Sequence, residues 1–296
     1  MPTDATLLRF YLVDVFASEP FAGNPLAVVA DADGLDEPTM RRVAREFNQS
    51  ETTFLLPPTH AEADYKVRIF TPQRELPFAG HPTLGTAMQV RSTTMRGAAR
   101  VVLELKSGPI PVAFEDRGDG SVFGEMTQKD ALFGERYPRD VVAPLIGLPA
   151  DAIADDVPIQ AVSTGSAFVV LPLRTLQAVR SVRMNFPAIA ELLAKANRRS
   201  FYLVTREVLD PKARLHARLP FARGEDPVTG SAGGCACAWM VRHGVARPDE
   251  QVIIEQGLEI QRPGQLFVRA SQSGDRVTNV RVGGFAVKVM QGEYAL

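Results

Sequence analysis

The sequence predicts an α/β (α+β) protein built of two similar halves, and three observations carry that expectation. Two segments share a Pro-x-x-Gly turn followed by a polar residue, Pro77-Phe-Ala-Gly-His81 and Pro227-Val-Thr-Gly-Ser231. Each turn runs into small and apolar residues with no polar face, Thr83 to Val90 and Ala232 to His243, the pattern of a helix enclosed by sheet. Strands and helices also recur in the same order around both motifs. Gly80 and Gly230 are 230 − 80 = 150 residues apart, and Gly23 and Gly165 are 165 − 23 = 142 apart.

Taken in order, Phe10 to Phe16 and Asn24 to Val29 read as strands joined through Ala22-Gly23. A helix comes next, because Asp36 can cap it, Pro38 suits its first turn, and Met40, Val43, Ala44 and Phe47 fall at i, i+3, i+4, i+7. Thr52 to Leu56 and Tyr65 to Thr71 are strand-like, and after the first buried helix so are Val101 to Leu105 and Ile110 to Phe114. The polar, glycine-containing Glu115-Asp-Arg-Gly-Asp-Gly120 marks the expected boundary between halves.

The second half opens with a strand at Val122 to Met126 and a short helix, Asp140 to Ile146, stopped by Gly147 and Pro149. Strands surround Thr164-Gly165-Ser166, from Ala161 to Leu171. A helix carries Ile189, Leu192, Leu193 and Ala196, capped near Asn185. Phe201 to Thr205 and Leu215 to Leu219 lead into the second buried helix. There Gly233, Gly234, Cys235, Ala236 and Ala238 let neighbouring backbone come close, and Gly244 ends the helix. Strands fill the remainder: Val252 to Glu255, Leu266 to Ala270, Val277 to Val282 and Ala286 to Met290.

At 296 residues the chain exceeds the usual size of one domain. Its 33 basic and 34 acidic residues give a net charge of −1, and no basic run tracks a phosphate backbone, so nucleic acid is not an expected partner. The longest apolar run, Ala167 to Leu173, is well short of the roughly 20 residues that span a bilayer, so no membrane is expected either. Met1 to Thr6 lacks the positive start of a secretory signal, which makes the cytoplasm the expected compartment. Cys235 and Cys237 point to different faces of one helix, and His60, His81, His216 and His243 form no paired metal motif. With neither Gly-x-Gly-x-x-Gly nor a phosphate loop, no cofactor and no metal are expected, and the chemistry falls to side chains.

Two helix starts present free backbone N–H groups at Gly80 and Gly230, a natural grip for an anion, so the expected ligand is a small carboxylate. Glu51, at the mouth of a strand after the first helix, is the candidate proton carrier. An apolar cleft raises a glutamate toward the neutrality that taking and returning a proton requires; otherwise it is a solvated strand-end residue. His81 sits where the helix dipole disfavours imidazolium, which points to a neutral hydrogen-bonding role or a proton shuttle. Asp226 and Ser231 flank the second turn. With His81 they invite a Ser/His/Asp hydrolase reading, but Thr229 stands where a nucleophile elbow needs glycine, and Ser231 reads better as an N-cap binding a carboxylate. The glycine turns add Asn24, Thr164 and Gly165 as candidate substrate contacts.

Together these residues resemble the PhzF-like phenazine-biosynthesis family, whose fold is shared with diaminopimelate epimerase. The likeness lies in Val13-Asp-Val-Phe, Phe21-Ala-Gly-Asn-Pro-Leu-Ala-Val28, Ser50-Glu-Thr-Thr-Phe54, Arg68-Ile-Phe-Thr-Pro72, Glu75-Leu-Pro-Phe-Ala-Gly-His-Pro-Thr-Leu-Gly-Thr-Ala87 and Glu225-Asp-Pro-Val-Thr-Gly-Ser-Ala232. The resemblance implies two pseudo-symmetric, diaminopimelate epimerase-like halves, each a curled sheet around a central helix, with the active site between them. It puts the C-terminal strand in the first half, giving expected domains of 1–117 with 283–296 and of 118–282.

It also implies a cofactor-independent isomerase, often a homodimer, in which the residue matching Glu51 moves a proton within trans-2,3-dihydro-3-hydroxyanthranilate and those matching His81, Asp226 and Ser231 line the site. Epimerases and racemases of this fold carry cysteines where this chain has Ala79 and Thr229, so one-base isomerisation is expected over stereoinversion. The family usually reads Phe-Ala-Pro with a longer loop where this chain has Phe221-Ala-Arg-Gly-Glu-Asp226. Arg223 there is either a second anion contact or a solvated loop residue. A metabolite-binding protein without turnover and a racemase-related enzyme remain alternatives.

Overall fold

The computed structural model describes residues 7–194 and 200–296. It divides into two compact units, Met1–Met126 with Gly283–Leu296, and Thr127–Val282. Met1 to Thr6 and Ala196, which entered the expectations from sequence, lie outside the described residues.

In the first unit, strands numbered along the chain are β1 (Leu7–Val15), β2 (Asn24–Val29), β3 (Glu51–Leu56), β4 (Tyr65–Phe70), β5 (Glu75–Leu76), β6 (Arg100–Leu105), β7 (Gly108–Asp116) and β8 (Val122–Thr127). The final strand, β18 (Ala286–Ala295), lies antiparallel beside β1. From there the sheet runs β1–β2 antiparallel, β2–β3 parallel, β3–β4 antiparallel, β4–β6 parallel, then β7 and β8 antiparallel, with β5 as a short hairpin on β4. The boundary expected at 117/118 falls too early. Arg117 N–H donates to the Ser121 carbonyl, so the polar glycine segment is the β7–β8 hairpin turn rather than a linker, and β8 belongs to the first sheet.

Two helices explain this unit. Helix α1 (Glu37–Phe47) makes the parallel crossover from β2 to β3; the Asp36 carboxylate accepts the Thr39 N–H at 2.9 Å, and Asn48 ends it in the left-handed region. Its stripe of Met40, Val43 and Ala44 packs on Leu8, Phe54 and Phe70. Helix α2 (Gly80–Thr93) touches β1, β2, β3, β6, β7 and β18, so the sheet wraps it, as its apolar circumference requires. A Cβ at Gly85 would stand 2.5 Å from Val15 and 2.8 Å from Leu26, so only glycine lets α2 lie this close to β1 and β2.

The second unit contains β9 (Leu132–Tyr137), α3 (Arg139–Val142), β10 (Ile159–Ser163), β11 (Ala167–Leu173), α4 (Leu176–Ser181), α5 (Phe186–Ala194), β12 (Phe201–Thr205), β13 (Ala213–Phe221), β14 (Gly224–Asp226), α6 (Gly230–Arg242), β15 (Val252–Gln256), β16 (Gly264–Ser273) and β17 (Arg276–Gly284). Its pairings run β9–β10–β11 antiparallel, β11–β12 parallel, β12–β13 antiparallel, β13–β15 parallel and β15–β16 antiparallel, with β14 as a short hairpin on β13. This is the sequence of pairings found from β18 to β7. A core of Val142, Ile146, Leu171, Val179, Ile189 and Phe201 packs α3, α4 and α5 on one face, and α6 contacts β10, β11 and β16.

Candidate active site

Glu51 opens β3 three residues after the cap of α1, and the parallel ladder pairs it with Leu26, two residues beyond Asn24. Asn24 is fully buried, in the strand that begins after Gly23, whose φ of +60° disfavours a side chain and where a Cβ would stand 2.3 Å from the Val15 carbonyl oxygen. The Glu51 side chain is 16% exposed, and its Oε2 lies 3.3 Å from Nε2 of His81, both atoms shut off from solvent.

His81 is the second residue of α2. Ala79 precedes the helix in extended backbone and has no capping side chain, so the first N–H groups, those of Gly80 and His81, lack intrahelical partners. Burial lowers the His81 pKa to about 3, and the positive helix end acts in the same direction. The imidazole is therefore neutral near pH 7. A neutral ring can offer Glu51 a hydrogen bond without placing a positive charge beside it.

The second unit places Asp226 at the end of β14, where its Oδ2 accepts a 2.6 Å hydrogen bond from Thr229 Oγ1. Gln256 on β15 knits this turn together. Its Nε2 donates to the Asp226 carbonyl at 2.9 Å, and its Oε1 accepts from Tyr202 Oη at 2.8 Å and from the Thr229 N–H at 3.1 Å. Ser231 is not the N-cap. Helix α6 begins at Gly230, the capping position belongs to Thr229, and no side chain caps there because the Thr229 hydroxyl is committed to Asp226.

Thr164 and Gly230 are tied to one another through a residue that sequence reasoning missed. Gln128 accepts from Thr164 Oγ1 at 2.6 Å and donates from Nε2 to the Gly230 carbonyl at 3.0 Å. Gly165, at φ +119°, supplies the turn beside Thr164. Gly234 completes the arrangement, since a Cβ there would fall 2.0 Å from Gln128 Oε1. Gln128, Tyr202 and Gln256 carry no local motif: Gln128 follows the end of β8 in a polar run, Gln256 ends β15 after Glu255, and only Tyr202 lies within an apolar strand. Arg223 occupies the exposed tip of the β13–β14 hairpin, next to the Phe221–Gly224 pair.

The candidates thus form two groups: Asn24, Glu51, Gly80 and His81 on the first unit, and Thr164, Gly165, Gly230, Ser231 and Asp226 on the second. The groups differ chemically. Where the first unit enters β3 with Ser50-Glu51, the second enters β12 with Ser200-Phe201 and has no carboxylate at that place. Among the described residues, no three His, Cys, Asp or Glu side chains are grouped to hold a metal ion.

Comparison with known proteins agrees with this architecture along nearly the whole chain. The phenazine biosynthesis-like protein family (PhzC-PhzF) matches residues 13–292. An uncharacterized isomerase of Mesorhizobium japonicum is 38% identical, over 96% of this chain and 98% of its own. The trans-2,3-dihydro-3-hydroxyanthranilate isomerase of Pseudomonas aeruginosa is 35% identical over 96% and 98%. The crystal structure of a PhzF-family phenazine biosynthesis protein from Bacillus anthracis superposes with a TM-score of 0.89 at 28% identity, covering 98% of this chain and 100% of that one. With its mixed sheets and α/β fold, the chain belongs to the PhzF-like family of phenazine biosynthesis-like proteins.

Proposed function

We propose that this protein is a cofactor-independent isomerase of a small carboxylic acid, and that Glu51 is its proton-transfer group. The observation that carries the reading is the shielded Glu51 Oε2, 3.3 Å from a neutral histidine at the start of a buried helix. Glu51 takes a proton from a substrate carbon, the C–H electrons shift a neighbouring double bond, and the same carboxyl returns the proton to another carbon. Formula and charge are conserved, so no further reactant is needed. His81 donates or accepts a hydrogen bond without changing charge, and the free N–H groups at the α2 start hold the substrate carboxylate. Asn24 is the further candidate contact on the first unit, and Asp226, Ser231, Thr164 and Gly165 are the candidate contacts on the second. The likeness to the trans-2,3-dihydro-3-hydroxyanthranilate isomerase suggests a cyclic amino or hydroxy acid as the substrate class.

The matching order of pairings supports a further element of this reading, that the two units are pseudo-symmetric copies of one ancestral half. In that case Ser200-Phe201 marks the loss, or the absence from the start, of a second carboxylate, which favours one-base isomerisation over two-base stereoinversion.

The test is deuterium incorporation from D₂O into a panel of small cyclic acids, monitored by NMR, with wild-type protein and Glu51→Gln. Wild type is expected to incorporate deuterium and the variant to lose it by about 10²-fold or more while still binding substrate. Binding by wild type without incorporation would leave a metabolite-binding protein instead. Incorporation at the wild-type rate by the variant would remove Glu51 from the chemistry.

A further inference from the structure

One contact recurs in both units and takes no part in the proposed chemistry. In the first unit Arg68 on β4 forks onto Glu75 on β5, Nε to Oε1 and Nη2 to Oε2, both at 2.8 Å. In the second unit Arg218 on β13 forks onto Glu225 on β14 through the same atoms at 3.0 and 2.6 Å. The spacing is identical, 75 − 68 = 7 and 225 − 218 = 7, and the forks lie 218 − 68 = 150 residues apart, the separation of Gly80 and Gly230. Each arginine also ties its hairpin to the crossover helix. Arg68 Nη2 reaches Glu37 Oε2 on α1 at 2.7 Å, and Arg218 Nη1 donates to the Val179 carbonyl on α4 at 3.0 Å.

The strands so gripped are very short. β5 has two residues and β14 three, too few for ladder bonds to fix their direction alone. Each helix starts five residues after the forked glutamate, at Gly80 and Gly230. Along β14, Glu225 and Asp226 are neighbours and point to opposite faces, so a fork that holds one fixes the other. Both glutamates are nearly buried, with side chains 5% and 6% exposed. A buried ion pair has weak value for stability alone, because desolvation offsets the attraction, whereas a planar two-bond fork sets geometry.

We infer that Arg68–Glu75 and Arg218–Glu225 are positioning pairs for substrate binding and proton transfer, the first orienting the start of α2 with His81 and the second orienting Asp226 on β14 and the start of α6 that follows it. The inference rests on the proposed isomerase function, but its first test does not. Arg218→Lys keeps the charge and loses the fork. Amide hydrogen exchange over residues 226–232 is expected to rise about 10-fold or more, as loss of one charge-assisted hydrogen bond implies, with the rest of the second unit unchanged. Arg68→Lys should do the same over residues 77–83.

With a substrate in hand, Arg218→Lys should lower kcat by about 10²-fold with little change in KM, the size expected of misplacement by about an ångström. Combining it with Glu225→Gln should cost little more than either change alone. Should the lysine variant fail to fold, Glu225→Gln, which keeps the side-chain volume, takes its place in every measurement. Unaltered exchange at 226–232, or a uniform rise across the whole unit, overturns the inference. Wild-type protein without turnover would overturn the proposed function alone, since the exchange pattern still decides the role of the forks.

Discussion

His81 holds its Nε2 3.3 Å from Oε2 of Glu51 while its own pKa is depressed to about 3. The ring beside Glu51 is therefore uncharged at neutral pH. That arrangement suits a group that must accept a proton and then release it.

The depressed histidine makes stability depend on pH. In the unfolded chain His81 takes up a proton near pH 6.5, whereas the folded chain resists until about 3. The unfolded state then binds the extra proton, so this contribution is complete above roughly pH 6.5 and declines as pH falls toward 3, by about 1.4 kcal/mol per pH unit. Urea unfolding of wild type and His81→Asn between pH 4 and 7, about the range of interest, should give a shallower acid loss for the variant. Parallel curves would mean that the ring is not held neutral.

The hydroxyl of Thr229 ought to matter more than its shape. Thr229→Val preserves volume but takes the 2.6 Å donor from Asp226 and a partner from Gln256 Nε2, 3.1 Å away. A loss of about 1–3 kcal/mol in stability is expected, with a lower turnover, and Thr229→Ser should restore both. Calorimetric unfolding with parallel kinetics would check this; equal behaviour of Val and Ser would leave the hydroxyl without a role.

Gly234→Ala sets two effects against each other. Alanine favours a helix interior by about 1 kcal/mol over glycine. Its Cβ would meet Gln128 Oε1 at 2.0 Å, and displacing that side chain breaks its bonds to Thr164 and the Gly230 carbonyl. Two lost buried hydrogen bonds outweigh the propensity gain, for a net cost of about 1–3 kcal/mol. In a Gln128→Ala background the same change should cost clearly less, and additive costs in a double-mutant cycle would refute the steric account.

His216 behaves oppositely to His81. Its Nδ1 lies 2.9 Å from Glu255 and its Nε2 3.0 Å from Glu259. Burial pulls its pKa down, but the two carboxylates outweigh this and raise it to about 9. The folded state thus keeps a proton that the unfolded chain releases near 6.5. This stabilisation is present below about pH 6.5 and is lost as pH rises through about 9. His216→Gln removes the cation between buried Glu255 and partly buried Glu259 and should cost about 3–5 kcal/mol at pH 7. Denaturation of the variant should lose the alkaline decline seen in wild type; if the decline persists, His216 is not its source.

The parts of this structure that could be read from sequence are those with local causes. The Asp36 cap and the stripe of Met40, Val43 and Ala44 delimit α1, and the all-apolar runs after Gly80 and Gly230 mark α2 and α6. Strands β5 and β14 were invisible because two or three residues carry no periodicity, and β9 because its side chains are mostly half-exposed or exposed. The same limit hid the site's supports. Arg68 and Glu75 look like ordinary surface charges until the hairpin folds them together, and Gln128 and Gln256 act on partners 102 and 30 residues away in sequence. The motif offers two hydroxyls for the cap, Thr229 and Ser231, and only the folded turn shows the one at the capping position turned toward Asp226.

The parallel crossovers differ in length, whereas the segments downstream of them do not. Leu26 pairs with Glu51 after 51 − 26 = 25 residues, and Val169 with Phe201 after 201 − 169 = 32. Beyond those strands, arginine, glutamate and helix-start glycine keep a constant interval in both units. Insertions and deletions should therefore accumulate in the connections that carry α1, α4 and α5, where relatives can lengthen a surface helix at little cost. One residue added to the first turn of α2 would instead swing the imidazole around the helix axis by about 100°, taking it away from its acidic neighbour.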